Sequence, residues 1–105
     1  MQIGIHLTPF FSPIDRPPTQ VIDEVVAITQ RVSQLGFAWI SAPHHWAAYP
    51  TLWPQPFPLL ARLAPETGAM RLMTLVVLLP LLNPVAVAEE VATLDATTER
   101  RVKHA

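Results

Sequence analysis

The chain has 105 residues, half of them hydrophobic and 14% charged, with a formal net charge of −1 and no cysteine. That length suffices for one small domain. A near-neutral surface gives no electrostatic basis for holding nucleic acid or an anionic membrane, and without cysteine there are no disulfides and no thiolate chemistry. The longest apolar run, Leu72 to Leu82, is too short to span a bilayer and is interrupted by Pro80. Met1 to His6 lacks the basic segment and long apolar core of a leader peptide. The expectation is a soluble, cytoplasmic protein with no nucleic-acid or membrane partner.

Gln2 to Leu7 reads as a first strand, followed by a proline-rich loop from Thr8 to Pro18. Thr19 is the expected N-cap of a helix, with Asp23 and Glu24 in its early turns, where the helix dipole favours carboxylates. Val21, Val25, Ile28, Val32 and Leu35 form one apolar stripe, and Gly36 stands where a helix of this kind ends. Phe37 to Ala42 is the second strand. Residues 43 to 57 make a long loop rich in proline and carrying Trp46, Tyr49, Trp53 and Phe57. A short helix is expected over Pro58 to Ala64, starting on proline. Met70 to Leu79 is a nearly continuous apolar run, as for a strand buried on both faces. Asn83 and Pro84 form the cap and first position of a further helix with Val87, Val91 and Leu94 on one side, and Val102 to Ala105 opens a fourth strand.

The order β-α-β-α-β-α-β implies parallel strands joined by right-handed crossovers. Either a doubly wound open sheet or part of a (β/α)8 barrel satisfies it. A doubly wound sheet holding a dinucleotide carries a glycine-rich turn after its first strand, and Thr8-Pro9-Phe10-Phe11 has none. The α/β fold expected is therefore the N-terminal part of a (β/α)8 TIM barrel, about three and a half βα units, in one domain over residues 1–105. A whole barrel takes about 250 residues.

Active-site groups of such barrels stand at the carboxyl ends of the strands. There the second strand empties into adjacent imidazoles, His44 and His45, the side chain that exchanges a proton most readily near neutral pH. Either is also compatible with a loop histidine making only local hydrogen bonds. Side chains alternate along a strand, so one of the pair faces the barrel interior and the other supports it. No carboxylate or third imidazole follows at ligand spacing, so no metal is expected. His6 ends the first strand on the same rim, as a structural or a pocket histidine. The aromatics of the 43–57 loop either line a substrate pocket or pack that loop onto the barrel. Glu89 and Glu90 form a solvated helix face or a subunit contact, and Asp95 holds local backbone.

The opening QIGIHLTPF, the segment LGFAWISAPHHW (35 to 46) and the long block from Pro56 to Ala96 resemble, in this order, the luciferase-like monooxygenases, which are flavin- or deazaflavin-dependent (β/α)8 enzymes. The block includes the family's Leu-Pro-x-x-Asn-Pro turn and its Glu-Glu…Leu-Asp helix. The resemblance implies a flavin, FMN in reduced form, with its ring over the ends of strands one to four. It implies that His44 assists proton transfer at that ring with His45 beside it. It also implies a non-prolyl cis peptide bulge at about Leu75 and Val76 supporting the ring; His6, from its place on the rim, is the further candidate for binding the cofactor. The reaction implied is insertion of one atom of molecular oxygen into a small organic substrate, with a flavin reductase as possible partner and a homo-oligomeric state. Deazaflavin-using relatives transfer hydride instead. The sequence departs from the family at Pro43, where a glutamate precedes the histidine pair, and at Thr98-Glu99-Arg100-Arg101, where relatives carry Ser-Gly-Gly-Arg. The segments that hold the flavin phosphate lie further along in the family than Ala105. A fragment with an incomplete cofactor site follows, and a non-catalytic, self-associating half-barrel is the alternative.

Overall fold

Proline and glycine set the limits of the longest helix. In the computed structural model, which describes residues 1–8, 16–46, 51, 53–98 and, as backbone, 102–104, α1 runs Pro18–Gln34. Pro18 occupies a first helical position that needs no N–H, and Pro17 is the N-cap without a side-chain cap bond. Thr19 therefore lies inside the helix, not at its cap. Leu35 closes the last turn and Gly36 follows at φ +82°, a left-handed conformation that glycine adopts without a Cβ penalty. Val21, Val25 and Val32 of the apolar stripe are buried, with Val26 and Thr29 beside them.

The remaining elements are β1 (Gly4–His6), β2 (Trp39–Ala42), α2 (Pro56–Leu63), β3 (Arg71–Thr74), α3 (Pro84–Thr97) and β4 (Val102–His104), with 3-10 turns at Ala64–Glu66 and Leu79–Leu81. The strands form one parallel sheet in the order β1-β2-β3-β4. Ile5, Ile40 and Leu72 are in register, as are His6, Ser41 and Met73 one residue further on. Successive side chains alternate faces, so the sheet has two chemically different sides. Ile5, Ile40, Ala42 and Leu72 pack against Val25 and Val26 of α1, Leu59, Leu60 and Leu63 of α2 and Leu94 of α3. Full burial of each valine, leucine or isoleucine among them contributes roughly 1.5–3 kcal/mol, and the partly buried Ile5 less. Gly4, His6, Trp39, Ser41 and Met73 belong to the opposite face. There the Trp39 indole lies across β1 so closely that a Cβ on Gly4 would fall within the ring.

Helices on one side of a sequentially ordered parallel sheet, joined βαβαβαβ, are the construction of a (β/α)8 barrel wall. The expected elements are present, with corrected limits. The first strand is three residues long, not Gln2 to Leu7. The helix expected from Pro58 starts at Pro56, with Gln55 as N-cap. The strand expected from Met70 to Leu79 ends at Thr74, because the chain leaves the sheet through a cis peptide bond between Leu75 and Val76 and turns into the 3-10 segment around Pro80. Nor is β3 buried on both faces: Arg71 is exposed and Met73 half-buried. Tyr49 and residues 99–101 lie outside the described residues.

Candidate active site

At the carboxyl end of the sheet, the chain leaves β2 at Ala42 and β3 at Thr74, and the two exits stay together: the Leu75 N–H donates to the Ala42 carbonyl at 3.0 Å. Beyond this last rung the strands give way to side-chain contacts. His44 is buried, at 4% exposure, and its Nδ1 accepts a 3.0 Å hydrogen bond from the Leu78 backbone N–H. An amide N–H can only donate, so Nδ1 presents its lone pair and the neutral ring carries its proton on Nε2. The tautomer of His44 is thus fixed by the backbone of the loop after β3.

His44 and His45 diverge, as side chains of adjacent residues do. His45 is exposed and its ring rests on Trp53, centroids 4.0 Å apart. The Trp46 ring meets His44 edge-to-face at 5.7 Å, the arrangement favoured by ring quadrupoles. His6 stands on the face of the sheet that the helices leave uncovered, where its Nδ1 and the Ser41 Oγ are hydrogen-bonded at 2.7 Å. Leu75 and Val76 flank the cis peptide, at the position the resemblance implied. Val76 is half-exposed, Leu79 and Leu81 further along the same loop are exposed, and so is Val85 in the first turn of α3.

A cavity of about 250 Å³ opens beside His44, lined also by Trp46, Gln55, Phe57, Asn83 and Glu90. Trp46 and Phe57 therefore line a pocket, whereas Trp53 packs on His45. A larger cavity, about 510 Å³, lies at the opposite end of the strands among Phe37, Trp39 and Arg71. Size does not make it the site, because barrels place their chemistry at the carboxyl ends. Among the described residues no three His, Cys, Asp or Glu side chains are grouped as a metal would need. Two contributors have no counterpart in the sequence reading: Leu78, acting through its backbone, and Gln55. The Gln-Pro junction that starts α2 is the one sequence signal that points at the second.

The fold and this site define a (β/α) barrel segment whose strand ends gather histidine, aromatic and aliphatic side chains. The family model for luciferase-like monooxygenase matches residues 1–103, and the chain belongs to that family. Solved structures similar to it include monooxygenase RslO1 from Streptomyces bottropensis, at 28% identity and a TM-score of 0.89 over 99% of this chain and 32% of that one. Another is the oxygenating constituent of 3,6-diketocamphane monooxygenase from Pseudomonas putida, a type II Baeyer–Villiger monooxygenase in complex with FMN. It shares the fold at 22% identity and a TM-score of 0.89, over 99% of this chain and 28% of that one. Apo-MsnO8 likewise shares the fold, at 24% identity and a TM-score of 0.81, over 98% of this chain and 31% of that one. No curated protein matches the sequence. The chain thus spans about a third of the length of these solved structures. No helix among the described residues is long and apolar enough to cross a membrane.

Proposed function

We propose that this chain forms the N-terminal, ring-binding part of a flavin-dependent monooxygenase barrel, with FMN as the cofactor. The observation that carries the reading is His44: a buried imidazole at the carboxyl end of a parallel sheet, its tautomer fixed by the Leu78 N–H. The surroundings fit a flat aromatic ring system. The half-exposed Val76 and the exposed Leu79 offer apolar surface close in the chain to Leu78, and His6 adds a polar group on the uncovered face of the sheet. When bound, reduced flavin reacts with oxygen and delivers one oxygen atom to an organic substrate; the cofactor carries that chemistry and the protein orients it.

In this reading His44 is the catalytic residue. Its Nε2 holds the proton that would be available to a bound flavin, and the Leu78 N–H keeps that proton off Nδ1. Burial shields the exchange from bulk water. His45 supports the loop through Trp53. Leu75, Val76 and His6 would hold the ring, and the aromatic cavity beside His44 would take a small organic substrate, as apolar, concave sites do. A flavin reductase and assembly with a second subunit belong to the same proposal.

Anaerobic NMR titration with reduced FMN and with reduced lumiflavin, which has the ring without the phosphate, tests it. Both ligands are expected to shift the His44 ring signals and the Val76 and Leu78 amides, to a similar extent, and His44→Ala is expected to weaken both. No shift at these positions up to millimolar ligand, or shifts confined to the cavity at the amino ends of the strands, would overturn the proposal.

A further inference from the structure

Beyond Ala42 the segment Pro43–Trp46 has left the ladder of β2, so something other than the sheet must hold the imidazole that the proposed chemistry uses. One anchor is the Leu78 N–H on His44 Nδ1. The other comes from the far end of the loop. Gln55 Oε1 accepts from Trp46 Nε1–H at 2.8 Å, and Gln55 Nε2 donates to the His45 carbonyl at 3.1 Å. The orientation of this amide follows from its partners, since an indole N–H can only donate and a carbonyl can only accept. Only a head with one donor and one acceptor satisfies both. Trp46, held in this way, forms a T-shaped pair with His44.

The helix start supplies a second, independent argument. Gln55 is the N-cap of α2 and makes no capping bond. Asn83, the N-cap of α3 before an equivalent proline, does cap, accepting from the Val85 and Ala86 N–H groups. Ser, Thr, Asp or Asn would serve α2 better, and glutamine is not among the favoured caps. The Gln55 side chain is instead turned away from its own helix and spent on the histidine loop. A local rule broken in this manner is characteristic of functional sites. Gln55 also lines the cavity that His44 and Trp46 share.

We propose that Gln55 is the positioning residue of the His44 site: its amide ties the histidine loop to the start of α2 and sets the imidazole through Trp46. The inference rests on the flavin reading for what the imidazole does, but not for how it is held.

The test uses nitrogen-15 NMR of the indole and imidazole signals, with Trp46→Phe to assign the Trp46 indole N–H. In Gln55→Leu the Trp46 N–H signal moves upfield as its acceptor is lost, the His44 ring signals shift, and the dissociation constant for reduced lumiflavin rises by up to about tenfold, as when one hydrogen bond to a ligand is lost. In Gln55→Glu the carboxylate still accepts from the indole, so the Trp46 signal stays downfield and the His44 signals move less than in Gln55→Leu. If the Trp46 N–H moves in Gln55→Leu while the His44 ring signals stay as in the wild type, Gln55 only fastens a loop and the proposal is overturned. An unmoved Trp46 N–H overturns it as well. If lumiflavin leaves the wild-type spectrum untouched, the flavin reading fails, and the wild-type and Gln55→Leu imidazole signals still decide the role of Gln55.

Discussion

His44 carries two constraints of different origin, and only one is written in side chains. Its neighbours in the sequence supply the aromatic edge, but the nitrogen that fixes its tautomer comes from a main-chain amide 34 residues away. Leu78 has φ −79°, within the range proline adopts, so Leu78→Pro removes the donor while suiting the local φ. Leaving Nδ1 buried and unsatisfied is expected to cost about 1–3 kcal/mol, read as a lower urea midpoint. Imidazole nitrogen-15 shifts are expected to change from a single Nε2–H tautomer to a mixture. An unchanged tautomer in Leu78→Pro would show that other contacts fix the ring. The histidine pair itself was legible from the sequence, because strand ends followed by imidazoles are a visible pattern. Leu78 was not, since a backbone donor leaves no mark on the residue type that supplies it, and Gln55 was hidden by its distance of ten positions from His45.

The helix ends that a glycine or an Asn-Pro pair marks are legible in the sequence. Where several prolines crowd a helix start, however, the first helical turn is missed, as at Pro18 and Pro56, and where apolar residues run together the end of a strand is hidden. Gly36 and the Asn83-Pro84 pair fall where the helical period and cap chemistry placed them. The end of β3 was not visible, because Leu75 to Leu79 is as apolar as the strand before it. Pro80 alone signals that the run must turn. Asn83→Ala, which removes both acceptor contacts at the start of α3, is expected to lower stability by about 1 kcal/mol in urea unfolding. A further element-level link joins α1 to the 3-10 turn after α2. Gln30 Nε2 donates to Glu66 Oε2 at 2.8 Å, Arg62 Nη1 donates to Glu66 Oε1 at 3.2 Å, and Ser33 Oγ donates to the Thr67 carbonyl. The Gln30 amide, and after it the Arg62 guanidinium, hold the Glu66 carboxyl below its ordinary value of 4.5. A carboxyl lowered on folding contributes stability above its unfolded value and loses it as pH falls through the folded one. The difference in urea midpoint between wild type and Glu66→Gln is therefore expected to be constant near neutrality and to shrink below pH 4.5. Glu66 is on the surface, and the effect is small and weakened by salt.

At the scale of the whole molecule, the alternation of strands and helices gave the architecture, since parallel strands joined by helices admit few arrangements. The described helices nevertheless cover only one side of the sheet, and the hydrophobic core cluster lies on that side. Leu60→Ala, at a fully buried position between sheet and α2, is expected to cost about 2–5 kcal/mol, a large share of what so small a domain has. Val85→Lys, on an exposed position of α3, is expected to change the urea midpoint little while lowering the fluorescence of a dye that binds exposed apolar surface. The side facing away from the helices also holds a built-in optical signal. Since the Trp39 indole covers Gly4, its emission and near-ultraviolet circular dichroism depend on whether the first strand has docked against the second. Because Gly4 and Trp39 are 35 positions apart and meet only through the parallel pairing, that single chromophore times the closure of the first crossover, the slowest kind of contact for a chain of this topology to make.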